Sequence, residues 1–246
     1  MFRPVWAEHR VILDKVDLEI RRNFERKGWL PLLEVERPPP IALIREFYFN
    51  LFVHSDDFNI QFVKSWIRGE EYVITPEVVA FVLGVPLVQQ PVYPYIESLP
   101  LDDIMSLITG TSISWGTDPR LTSSRLTELN YLFFRISCHS IWHISDVHTI
   151  PIERCAFLYA LIIDAPMSFP TLFIHSLVEV HRSSAKSHDL FFPIFIHRIL
   201  LDLDLDDFPA SEPVHIIAPI GTTFLRQRVA QLKVSSKRPQ CRVFSR

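Results

Sequence analysis

The residues best suited to chemistry lie between positions 138 and 148, where Cys138, His139, His143 and His148 crowd together. His139 and His143 stand one helical turn apart, a spacing that would turn both imidazoles toward a common metal ion. Zinc sites draw on paired short spacings, Cys-x2-Cys with His-x3-5-His, and one cysteine beside an irregular histidine series does not supply them. The expectation is no metal and no cofactor, with these histidines bordering a helix end and their ring N–H groups bonded to backbone carbonyls. Carboxylates that could hold paired Mg²⁺ ions for phosphoryl transfer occur as the doublets Asp56-Asp57, Asp102-Asp103 and Asp206-Asp207. Neighbouring side chains on a strand point to opposite faces, so a doublet serves only in a special turn on a sheet. These doublets are read instead as solvated loop or helix-cap residues. No G-x-S-x-G elbow occurs, and Cys138, Cys155 and Cys241 sit in no protease or redox context. With six glycines the chain has neither G-x-G-x-x-G nor a P-loop. No catalytic residue is assigned, and the chain is read as non-enzymatic.

Charge gives one further candidate. The chain of 246 residues carries a net charge of −3, which creates no long-range field selecting nucleic acid or anionic membrane. Its distribution is uneven. Residues 221–246 hold seven bases, Arg226, Arg228, Lys233, Lys237, Arg238, Arg242 and Arg246, and no acid. Residues 1–220 hold 18 basic against 28 acidic residues, a balance of −10. Cations that neutralise phosphates release counterions, so the first six of these bases are the candidate nucleic-acid contacts. Asp202, Asp204, Asp206 and Asp207 form an acidic stretch that could attract the same segment from within the chain.

These residues need a scaffold, and composition supplies one. Hydrophobic residues make up 48 % and charged residues 22 %, with 19 Phe and 5 Trp, enough apolar surface to offset folding entropy. Three cysteines cannot build a disulfide framework and fit a reducing compartment, so an intracellular location, nuclear or cytoplasmic, is expected. The N-terminus, Met1 to Arg10, lacks the continuous apolar stretch of a secretory signal. The most membrane-like segment, Cys155 to Ile174, is cut by Pro166 and Pro170 into pieces too short to span, so no membrane partner is expected.

Apolar periodicity predicts an N-terminal amphipathic helix over Val11 to Lys27, stopped by Gly28, with an extended connector over Trp29 to Leu33. Pro38-Pro39-Pro40 forces extended backbone, and Ile41 to Phe52 follows as a helix. Residues 59–75 are β-branched and aromatic around Gly69, which predicts a hairpin. Thr75-Pro76-Glu77 opens a short helix through Leu83, apolar nearly all round and so expected to be buried, and Gly84 closes it. Gln89 to Leu99 is a proline-rich loop, and Leu101 to Thr109 is a short helix ended by Gly110. Four further helices are marked by Leu126 to Ile136, Ile152 to Ile163 opened by Pro151, Phe173 to Val180, and Phe195 to Leu203 with Pro193 in its first turn. The fold class is mainly α, a helical bundle with one small β-hairpin. The division expected is an N-terminal helix over 1–28, a helical domain over 29–205 and a basic tail over 206–246.

Several segments taken together resemble a known family. Phe24 to Trp29, Leu43 to Leu51, Ile67-Arg68-Gly69-Glu70, Thr75-Pro76-Glu77 and Leu83-Gly84-Val85-Pro86 occur here in the order found in the putative plant transposon protein domain. The His139 to His148 stretch, Phe157 to Leu161 and Leu190 to Pro193 extend the likeness to residues 20–205. The resemblance implies a piece of a retroelement-derived reading frame, often found near a gag-like region, and brings no established catalytic residues. An integrase-type acidic triad on a mixed sheet is not offered by this sequence. The nucleocapsid pattern Cys-x2-Cys-x4-His-x4-Cys is absent as well. Residues 178–189, basic and rich in serine, depart from the family pattern and are read as a loop. The function expected is a non-enzymatic mobile-element domain acting by protein contact, self-association included. The alternative is nucleic-acid binding through the basic tail, with a degenerate transposase or nuclease behind both.

Overall fold

The computed structural model describes residues 5–35, 39–55, 61–93, 100–112, 120–142, 146–182, 190–205 and 220. The chain is mainly α, with nine α-helices among the described residues, a three-stranded sheet and a two-stranded ladder. The N-terminal amphipathic stretch is shorter than its periodicity suggests. Val11 gives its N–H to the Leu33 carbonyl, Leu13–Lys15 make a single 3₁₀ turn, and helix α1 runs over Leu18–Arg26. Asp17 sets that start, its carboxylate accepting from the Glu19 N–H. Ile20 and Phe24 face inward with no exposed surface, and the chain turns at Gly28, whose φ of +66° suits glycine.

Trp29 to Leu33 is not extended. Leu30–Leu33 forms one helical turn, α2, because Pro31 falls among its first residues, where its fixed φ helps and its missing N–H is not needed. Helix α3, Ile41–Phe49, is also shorter than expected. Asn50 closes it, and Leu51–Ser55 becomes strand β1, paired antiparallel with β2, Gln61–Ile67. Helical spacing at Leu51 and Phe52 yields here to ladder hydrogen bonds that only the folded chain offers. Strand β3, Glu70–Ile74, completes the expected hairpin in the register Ser65 to Tyr72. Its two-residue turn places Arg68 at φ 54° and Gly69 at φ 87°, both left-handed as a type I′ turn requires.

Helix α4, Pro76–Leu83, opens on Thr75, whose hydroxyl accepts from the Val78 N–H, and stops at Gly84. It is not buried all round: Val79, Val82 and Leu83 face the core while Phe81 is 81 % exposed. Helix α5, Leu101–Thr109, ends at Gly110 as expected. Strands β4, Arg120–Thr122, and β5, Thr149–Pro151, pair antiparallel, an addition to the single hairpin expected. Between them helix α6, Glu128–Ile136, runs into a π-type turn over Ser137–Ile141. Helices α7, Ile152–Ile162, α8, Phe169–Arg182, and α9, Pro193–Asp202, follow. Helix α8 runs through the expected Val180 and takes in His181 and Arg182, expected as loop, and Val178 and Val180 are buried on its inner side. No helix among the described residues is long and apolar enough to cross a membrane.

Helix α8 is the centre of the core. Phe169 and Phe173 meet Phe192, Phe195 and Trp29 in edge-on and tilted contacts, with Phe169 and Phe195 centroids 5.6 Å apart. Burying a side chain of this size contributes about 2 to 3 kcal/mol, so the cluster outweighs any single polar contact at its rim. A polar clamp closes the other end of α7. Asn23 donates to the Leu161 carbonyl, and the buried Lys27 ammonium reaches Asp164 at 3.0 Å and the Ala165 carbonyl at 2.9 Å.

Two glycines separate backbone need from space. A β-carbon at Gly28 would lie 2.9 Å from the Pro86 ring, whereas one at Gly69 would meet nothing. Gly28→Ala is expected to lower unfolding stability by about 2 to 3 kcal/mol and Gly69→Ala by about 1 kcal/mol, read from urea midpoints at constant m-value.

Candidate functional site

Cys138 and its neighbouring histidines do not converge. Cys138 follows α6 and is buried beside Phe134, Trp142, Arg154 and Phe157. Burial pushes its thiol up to about 12, and Cys155 likewise, so neither supplies a thiolate at neutral pH. The Arg154 guanidinium stacks on the Trp142 ring and donates to the Trp142 carbonyl at 3.1 Å. His139 turns the opposite way and lies against His9, ring centroids 4.4 Å apart. His148 is exposed, and its N–H donates to Asp146. His143 lies outside the described residues, and no group of three or more metal-ligating side chains gathers among those described. Asp102 and Asp103 sit in the first turn of α5, where carboxylates favour the positive helix end. Asp56-Asp57, Asp206-Asp207, and the tail bases Arg226, Arg228, Lys233, Lys237, Arg238 and Arg242 also lie outside the described residues.

Two surface features stand out. The first is the outer face of the β1–β2–β3 sheet. Strand alternation turns Val63, Ser65 and Ile67 inward and leaves Phe62, Lys64 and Trp66 outward. The register sets Phe52 and Val73 on either side of Lys64, His54 beside Phe62, and Glu71 beside Trp66. Phe52 is 53 % and Trp66 47 % exposed. His54 stacks on Phe62 at 5.4 Å, and Lys64 pairs with Glu71 at 3.2 Å.

The second feature is a cleft of about 480 Å³. Thr171, Ile174, His175 and Arg182 form one wall, all on one stripe of α8 by their spacing. Pro76 and Glu77 of α4, the segment Leu87 to Pro91, and Gln61 of β2 complete it. Sequence reading passed over this site because its residues spread over more than a hundred positions and match no motif. The available signal was the polar stripe Thr171, His175, Glu179 and Arg182 on a mostly apolar helix.

A family model described as putative plant retrotransposon-related domain matches residues 25–206. The chain belongs to that family. The match starts in α1 and ends just past Leu205, so both surface features of this retrotransposon-related domain fall inside it. No curated protein and no solved structure matches the chain.

Buried titratable groups near the N-terminus serve packing. Glu8 accepts from the N–H groups of Ile194 and Phe195, capping α9 from 186 residues away in sequence to Ile194. That service is needed because the residue at the cap position is Phe192, which carries no oxygen. Desolvation nevertheless raises the Glu8 carboxyl to about 7, and burial with the Arg135 charge lowers His9 to about 4. The folded state keeps a proton on Glu8 between pH 4.5 and 7 that the unfolded chain releases, so this group's contribution falls as pH rises through that window. For His9 the unfolded chain takes up a proton between pH 6.5 and 4 that the folded state refuses, so its contribution falls as pH drops. The two slopes oppose each other from pH 4.5 to 6.5. Relative to the parent chain, Glu8→Gln is expected to make stability fall more steeply with acidification there, and His9→Gln to make it fall more steeply with rising pH. Denaturant unfolding at half-unit pH steps measures both.

Proposed function

We propose that this retrotransposon-related domain acts without catalysis, through protein contact, and that it self-associates by the outer face of its three-stranded sheet. The observation that carries the reading is the set of ring side chains Phe52, His54, Phe62 and Trp66 gathered on that face. Exposed apolar surface of this kind gains about 25 cal/mol per Å² when a partner covers it, and monomeric surfaces seldom concentrate it. The Lys64–Glu71 pair makes the face its own electrostatic complement. A two-fold axis passing between them sets each ammonium against the carboxylate of the other copy. The buried, unreactive thiols of Cys138 and Cys155 support contact over nucleophilic chemistry. Light scattering on a size-exclusion column is expected to show a concentration-dependent dimer or larger species, and Phe52→Ser with Trp66→Ser to return a folded monomer. A parent chain that stays monomeric at high concentration refutes self-association.

A second reading, nucleic-acid contact through Arg226, Arg228, Lys233, Lys237, Arg238 and Arg242, is supported by the local excess of positive charge on a chain otherwise at −10. Affinity for a mixed-sequence oligonucleotide is expected to fall steeply with salt and to be lost on deleting residues 226–246. Binding that survives the deletion removes this reading.

A further inference from the structure

The cleft beside α8 is independent of the sheet face and has the features of a recognition site. Its floor is apolar, with Pro76, Leu87, Val88, Pro91 and Ile174. Its rim carries Gln61, Glu77, Gln89, His175 and Arg182. Among the described residues none of these five side chains is committed to a hydrogen bond or an ion pair, and the His175 Nδ1 is buried without a partner. The buried His175 Nδ1 carries the cost of an unmade hydrogen bond, and the exposed Glu77, Gln89 and Arg182 side chains are free to exchange water for a ligand's polar groups. A volume of about 480 Å³ is within the range of ligand sites.

The lining selects among ligand chemistries. Two carboxamides offer donors and acceptors together, which is what a peptide group presents in return. Glu77 and Arg182 bring opposite charges from two different walls, so a purely anionic ligand such as a phosphate meets repulsion from Glu77 and a purely cationic one meets it from Arg182. From Thr171 to Arg182 the α8 wall is about 16 Å long at 1.5 Å per residue, the span of about five residues of extended chain. We propose that this cleft binds a short extended peptide segment of a partner protein, with apolar residues along the floor, an acidic residue facing Arg182 and a basic residue facing Glu77.

The test uses the full chain labelled with ¹⁵N and four blocked pentapeptides: Glu-Leu-Val-Leu-Lys, Lys-Leu-Val-Leu-Glu, and the forms with Glu or Lys at both ends. The expected result is that a mixed-charge peptide binds about fivefold or more tighter than either like-charge peptide, moving the His175 ring and Thr171 amide resonances. Arg182→Glu is then expected to shift the preference to the two-lysine peptide and Glu77→Lys to the two-glutamate peptide. Both residues are exposed, so the variants keep the fold, and the His175 resonances of the unmodified chain give a readout that needs no substitution. Equal binding of all four peptides, a preference that does not follow the charge changes, or saturable binding of inorganic phosphate or AMP in their place overturns the proposal. Loss of the dimer in Phe52→Ser with Trp66→Ser leaves this outcome untouched, so the two readings fail separately.

Discussion

Helix α8 is packed along most of its circumference, and the rest of the molecule is arranged around that burial. Phe169, Leu172, Phe173, Ile174, Ser176, Leu177, Val178 and Val180 are all inside. Helix α4 and strands β1 and β2 supply the cover, and Phe195 of α9 packs against Phe169. A helix so enclosed must satisfy its own backbone and can leave only a narrow stripe of polar side chains. That stripe is Thr171, His175, Glu179 and Arg182, and three of its members line the cleft. The site is thus a by-product of geometry: where the covering elements part along α8, polar residues are the ones that show.

The same enclosure explains the strained entry to α9. Phe192 adopts φ 56°, which costs a non-glycine residue about 1 kcal/mol. Its ring packs 4.9 Å from that of Phe173, a burial worth more than the strain. The cost moves to the helix start, left without a cap of its own, and Glu8 arrives from the N-terminal segment to fill it. Nearby, Val5 and Trp6 meet Leu190 through backbone bridging, so the N-terminal segment is tied to this end of the core by main chain as well as by side chain.

Local signals in the sequence predicted what local physics decides. Gly28, Gly84 and Gly110 each mark a helix end at positive φ, and Thr75-Pro76 and Pro193 each mark a beginning. Long-range pairing was hidden. Leu51 and Phe52 fit the spacing of the preceding helix as well as they fit a strand, and only Ser65 and Lys64 opposite them choose between the two. The ladder of Arg120–Thr122 with Thr149–Pro151 is too short to show alternation. The cleft was hidden for the same reason, since Gln61, Glu77 and Arg182 meet only in the folded chain. The Glu8 cap could not be read at all, because nothing local distinguishes a capping glutamate from a solvated one.

Strongly shifted titration usually points toward chemistry, since active sites gather groups whose ionisation has been displaced. Among the described residues the displaced groups fall in separate places: Glu8 and His9 beside the start of α9 and His139, Lys27 beside the end of α7, and Cys138 with Arg154 beside Trp142. Glu8 caps a helix, His9 stacks on His139, Arg154 covers Trp142, and Lys27 is drawn to Asp164 although burial lowers its own pKa. Catalysis needs such groups to converge within reach of one reacting atom, with room for a substrate between them. Cys138 and Arg154 share a cavity of about 10 Å³, which leaves no such room. The roomier cleft instead presents neutral carboxamides and charges of both signs beside apolar side chains, a lining consistent with the peptide ligand proposed above.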